Sequence, residues 1–107
     1  MSVFKGPGAV DGPADPENTS ARWLVSGRVQ GVGFRWFVLN AARRYGIRGD
    51  VRNLADGRVE VRVCGVAADV EGLLGDVRRG PSGSQVAGIE NREGEPGLRF
   101  DNFEVRD

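Results

Sequence analysis

Residues 27–35, Gly27-Arg28-Val29-Gln30-Gly31-Val32-Gly33-Phe34-Arg35, combine residue types at a spacing suited to chemistry. Their glycines lie between a strand-like stretch and a segment of helical periodicity, so the backbone can curl and aim several N–H groups at one point. A concavity of this kind at a helix N-terminus attracts anions. Arg35 adds a planar guanidinium fork that matches phosphate oxygens. A cation in the first helical turn opposes the helix dipole, which favours a compensating anion beside it. Asn53, placed at the end of a strand just before a hairpin, is the second polar residue of interest. Each feature taken singly has a plainer reading. A glycine-rich turn can be only a turn, Arg35 a solvated residue at a helix start, and Asn53 a turn residue before a hairpin.

Local pattern supplies the elements that must position these groups. Trp23, Leu24 and Val25 open a strand that ends at the glycine run. Phe34, Phe37, Val38, Ala41, Ala42 and Tyr45 recur at i, i+3, i+4, i+7, i+8 and i+11, which predicts an amphipathic helix stopped by Gly46. On that helix Trp36, Leu39 and Tyr45 read as packing residues, and Arg43 with Arg44 as a solvated face. Residues 47–53 read as a second strand and Ala55-Asp56-Gly57 as a hairpin turn. Val59, Val61 and Val63 alternate with Arg58, Glu60, Arg62 and Cys64, which predicts a third strand with one buried and one wet face. A second helix sets Val70, Leu73, Leu74 and Val77 on one side. Its Gly72 and Gly75 each weaken it by about 1 kcal/mol relative to Ala, so it depends on packing. Gly80 and Pro81 end it, residues 85–91 form a fourth strand, and residues 98–105 a last extended segment.

The order β-α-β-β-α-β, plus a short terminal strand, predicts an α+β fold. It matches the ferredoxin-like split βαβ sandwich, an antiparallel sheet with two helices on one face. In that plan the cradle and Asn53 can meet at one rim of the sheet.

Composition excludes several alternatives. A chain of 107 residues is one domain, here residues 21–107, after a flexible extension of residues 1–20 rich in Gly, Pro, Asp and Asn. Fifteen basic and 15 acidic residues cancel, which speaks against nucleic acid or an anionic membrane as the main partner. The chain has no His, so a Ser-His-Asp triad, a Cys-His pair and a His-ligated zinc site are all ruled out. Cys64 is the sole cysteine, so no intrachain disulfide forms and a reducing compartment is expected. On the wet side of its strand, with no basic group to lower its pKa, Cys64 reads as unreactive. No signal-peptide pattern or membrane-length apolar run is present, so a cytoplasmic location is expected; the chain is also expected to act as a monomer.

Residues 27–35 resemble the first signature of the acylphosphatase family. Gly49-Asp50-Val51-Arg52-Asn53, followed by Gly57, Val59 and Gly65, is similar to its second. The resemblance runs from about Arg22 to the C-terminus, including the Gly80-Pro81 helix exit and the Phe103-Glu104-Val105-Arg106 ending, and leaves residues 1–20 outside it. It implies hydrolysis of the carboxyl–phosphate bond of acyl phosphates to a carboxylate and inorganic phosphate, without metal or other cofactor. Carried onto these positions, it implies that backbone N–H groups of Gln30, Gly31, Val32, Gly33 and Phe34 hold the phosphate oxygens, that Arg35 neutralises them, and that Asn53 orients the attacking water. One position departs: Asp50 stands where the family usually has an aromatic. By strand alternation it points away from Val51 and Asn53 and reads as solvent-facing. The same fold plan also serves RNA-binding modules and catalytically idle phosphate-binding modules. Against RNA, the aromatics here have helical spacing rather than the period of two that a stacking strand needs.

Overall fold

A computed structural model describes residues 18–95 and 97–107. In chain order the elements are β1 (Asn18–Arg28), α1 (Phe34–Tyr45), β2 (Arg48–Asn53), β3 (Val59–Val66), α2 (Ala67–Arg79), β4 (Gln85–Glu93) and β5 (Phe103–Arg106). They form one five-stranded sheet in the order β4-β1-β3-β2-β5. The first four strands pair antiparallel, as the split βαβ plan requires, and β5 adds to the edge of β2 in parallel.

Alternation along the valine-rich strands builds the core. Trp23, Val61 and Val51 lie opposite one another across β1, β3 and β2, and all three are fully buried. Phe34, Val38, Ala41 and Ala42 of α1 and Val70, Leu73 and Val77 of α2 belong to the same buried cluster, so both helices cover one face of the sheet. The αL conformation of Gly46 ends α1, with the Ile47 N–H bonded to the Ala42 carbonyl at 2.9 Å. Gly72 does more than weaken α2. A Cβ there would sit 2.6 Å from the Tyr45 ring, so the glycine is what lets Tyr45 of α1 pack against the second helix.

Three expectations change. Strand β1 begins at Asn18, because Asn18, Thr19 and Ser20 pair with Val66, Gly65 and Cys64 of β3; the domain therefore starts three residues inside the segment read as a flexible extension. The rest of that segment, residues 1–17, lies outside the described residues. Of residues 98–105, only Phe103 onward forms a strand, where the chain comes alongside Gly49 to Arg52 of β2.

The largest change concerns the supposed wet face of β3. Glu60 is 3% exposed and Asp50 only 2%, and Cys64 is also buried. Glu60 accepts hydrogen bonds from Arg22 Nε at 2.6 Å and Arg52 Nε at 2.7 Å. Asp50 accepts two from Arg62, at 2.8 and 2.5 Å, and lies 3.7 Å from Arg106 Nε. Long arginine stems lie over the strands and exclude water while their heads satisfy the carboxylates. Each acid meets more than one cation, which offsets the desolvation that would otherwise make its burial prohibitive. Burial pushes the Glu60 carboxyl up, but hydrogen bonds from Arg22 and Arg52 outweigh it and hold the group below its ordinary value. Asp50 is indeed on the face opposite Val51, as alternation requires, but it is an anchor for Arg62 rather than a solvated charge.

Candidate active site

Strand β1 ends at Arg28, and residues 29–33 turn the chain into α1. Gly31 and Gly33 both have φ of +76°, the left-handed region. A Cβ at either would meet no atom within 4 Å, so the backbone conformation, not crowding, demands glycine. Gly33 is the N-cap of the helix and no side chain caps it. The Phe37 N–H bonds to the Gly33 carbonyl at 3.0 Å, which leaves the N–H groups of Phe34, Arg35 and Trp36 without an intrahelical acceptor. No acidic residue occupies the first turn. Positive potential from the helix end and from Arg35 is thus concentrated at one spot with nothing negative on the helix to absorb it.

A cavity of about 190 Å³ opens here, lined by Val29, Gly31, Gly33, Phe34, Arg35, Trp36 and Asn53. Asn53 reaches it from the end of β2. Register explains how: Asn53 pairs with Val59, and Val59 with Val25, so its side chain ends a row on the helix-covered face. Its Oδ1 atom is buried and has no hydrogen-bond partner among the described residues. A buried acceptor left open in this way calls for a donor from outside the protein. Arg35 Nη1 donates to the Arg106 carbonyl at 2.8 Å and lies 3.9 Å from the Asp107 carboxylate, so the strand β5 end braces the guanidinium. Its remaining N–H groups keep their donor capacity.

The Acylphosphatase family model matches residues 21–105. The chain belongs to the acylphosphatase family. Acylphosphatase from Koribacter versatilis is 44% identical over 88 residues, covering 82% of this chain and 80% of that protein. Its counterpart from Solibacter usitatus is 47% identical over 85 residues, covering 79% and 88%. The crystal structure of acylphosphatase from Bacillus subtilis superposes with a TM-score of 0.79 at 34% identity, covering 82% of this chain and 98% of that one.

Within this acylphosphatase fold, five of the seven residues singled out from sequence, Gly31, Gly33, Phe34, Arg35 and Asn53, line the one cavity. Phe34 is 1% exposed, so only its backbone can face a ligand. Val32 packs against the core instead. Gln30 acts as a tie: its Nε2 donates to the Leu54 carbonyl at 2.9 Å and to the Arg58 carbonyl at 3.0 Å. These bonds join the cradle to both arms of the β2–β3 hairpin, immediately after Asn53. Gln30→Ala is expected to lower stability by about 1–2 kcal/mol for the two lost bonds. It should also lower kcat more than it raises KM, since Asn53 loses its brace. Chemical denaturation and steady-state kinetics on the variant measure both; an unchanged midpoint with unchanged kcat would refute the bracing role.

Two residues escaped the sequence reading. The Arg106 carbonyl carries no side-chain signal at all, and only the parallel placement of β5 brings it to Arg35. Trp36, read as a packing residue, is 59% exposed and sits on the cavity wall. Its displacement from the helix's apolar stripe was the available clue: Phe34, Phe37, Val38, Ala41 and Ala42 complete that stripe without it.

Proposed function

We propose that this chain hydrolyses acyl phosphates by in-line attack of water on a phosphoryl group seated in the cradle. The observation that carries this reading is the meeting, in one cavity, of unclaimed helix N–H groups, a braced arginine and the buried, unpartnered Oδ1 of Asn53. The backbone N–H groups and Arg35 hold the non-bridging oxygens, whose charge they meet already in place as the transition state forms. Asn53 Oδ1 accepts a hydrogen bond from the water and orients its lone pair toward phosphorus. The new P–O bond forms as the P–O bond to the acyl group breaks, and the electron pair departs with the carboxylate. The water's proton passes to a phosphate oxygen, giving inorganic phosphate. A carboxylate is a stable leaving group with a conjugate-acid pKa near 4, so a general acid is not needed, which suits a chain without His.

Small acyl phosphates are the substrates of this reading, acted on by a cytoplasmic monomer; the single cysteine supports a reducing location. Among the described residues no helix is long and apolar enough to cross a membrane. The open sheet face, where an RNA module would present stacking aromatics, instead carries the paired charges of Arg22, Glu60, Arg62 and Asp50. Purified protein is expected to cleave benzoyl phosphate in the presence of EDTA. Phosphate release no faster than in buffer, from a sample shown to be folded, would overturn the hydrolase reading and leave an idle phosphate-binding module.

A further inference from the structure

We infer that Trp36 is the platform for the acyl group, and that the site favours acyl phosphates bearing an aromatic or extended apolar acyl group over those with a small one. This rests on the hydrolase reading above. Elimination within the cavity wall supplies the first ground. Val29 and Phe34 are buried at 0% and 1% exposure, so their side chains are committed to the core. Gly31 and Gly33 have no side chain to offer. Arg35 and Asn53 are polar and face the phosphoryl group and the water. Of the seven lining residues, Trp36 alone has free apolar surface to meet an acyl group.

The state of Trp36 itself is the second ground. Among the described residues only Trp36 and Val66 are large hydrophobics left exposed, and Val66 is not on this wall. No ring or cation–π contact among the described residues engages the indole. Tryptophan carries one of the largest apolar surfaces of any side chain, and an indole face left open beside an anion site is suited to a planar or apolar partner. In-line displacement supplies the third ground. With the water held by Asn53, the acyl oxygen departs on the other side of phosphorus, away from β2. Trp36 belongs to the first turn of α1, one residue beyond Arg35, and lines the same cavity.

The test compares kcat/KM for benzoyl phosphate and acetyl phosphate in the wild type, Trp36→Ala and Trp36→Phe. Comparing ratios between proteins cancels the differing intrinsic reactivity of the two substrates. The benzoyl-to-acetyl ratio is expected to fall about tenfold in Trp36→Ala, mainly through KM for benzoyl phosphate, and to recover most of that in Trp36→Phe. An unchanged ratio in a folded Trp36→Ala protein overturns the platform while leaving the hydrolase reading intact. Calorimetric titration with phenylphosphonate and methylphosphonate needs no turnover and so separates the two claims. Wild-type protein should bind the phenyl compound about tenfold more tightly, and Trp36→Ala should bind both about equally. Equal binding by the wild type removes the platform whatever the activity; absence of turnover with a retained phenyl preference removes only the hydrolase reading.

Discussion

Arg35→Gln is expected to lower kcat/KM for benzoyl phosphate by about 10²–10³-fold, the loss typical of removing one preorganised donor from a developing oxyanion. Glutamine keeps a hydrogen-bonding amide but loses the charge and the reach. Two features argue for the upper part of that range. The guanidinium lies at a helix N-terminus with no acidic residue in the first turn, so its charge is not neutralised locally by the helix that carries it. It is also braced by the Arg106 carbonyl at 2.8 Å, so little reorganisation accompanies the reaction. Steady-state kinetics with a thermal melt on the same sample provide the check, and a variant within about tenfold of wild type would remove Arg35 from the mechanism.

Asp50→Ala is expected to destabilise the fold by about 3 kcal/mol, the lower end of what breaking a buried ion pair costs. The lower end applies because the Arg62 side chain keeps 22% exposure and so regains some hydration once its partner is gone. Arg62 also retains Glu95 at 3.2 Å. Arg62 cannot escape the loss by giving up a proton, because a guanidinium stays charged in proteins even without a partner. Removing both members together, as Asp50→Leu with Arg62→Met, should recover much of the stability, because no charge is then stranded. Urea denaturation of the single and double variants measures this coupling. A loss below about 1 kcal/mol in the single variant would show that the pair is ornamental.

How far the sequence could be read depended on the range of the interactions involved. The cradle was legible because glycine spacing, a helix start and its apolar stripe are all local. Asn53 was legible as soon as β2 had a parity, since alternation alone sets it on the face of Val51, and the pairing with Val59 and Val25 carries that face to the cavity. The arginine–carboxylate lattice was not. Alternation tells which residues share a face but not what covers it, and the matching of Arg62 with Asp50, or Arg52 with Glu60, exists only once β3 lies beside β2. Strand β5 failed for a related reason: Leu98 and Phe100 suggest an extended segment, but ladder pairing with β2 begins only at Phe103. Trp36 departs from the packing expectation because an aromatic on a helix is most often core, whereas its angular position puts it off the buried stripe of α1.

The contrasting settings of the two tryptophans make the molecule its own optical reporter. Trp23 is 0% exposed in the core beneath the helices, whereas Trp36 is 59% exposed at the cavity. A water-borne quencher such as iodide therefore reaches the emission of Trp36 and spares that of Trp23. The first signal follows whatever occupies the mouth of the site; the second stays silent until the core opens. Ligand occupancy and unfolding can be followed in one cuvette without attaching a label.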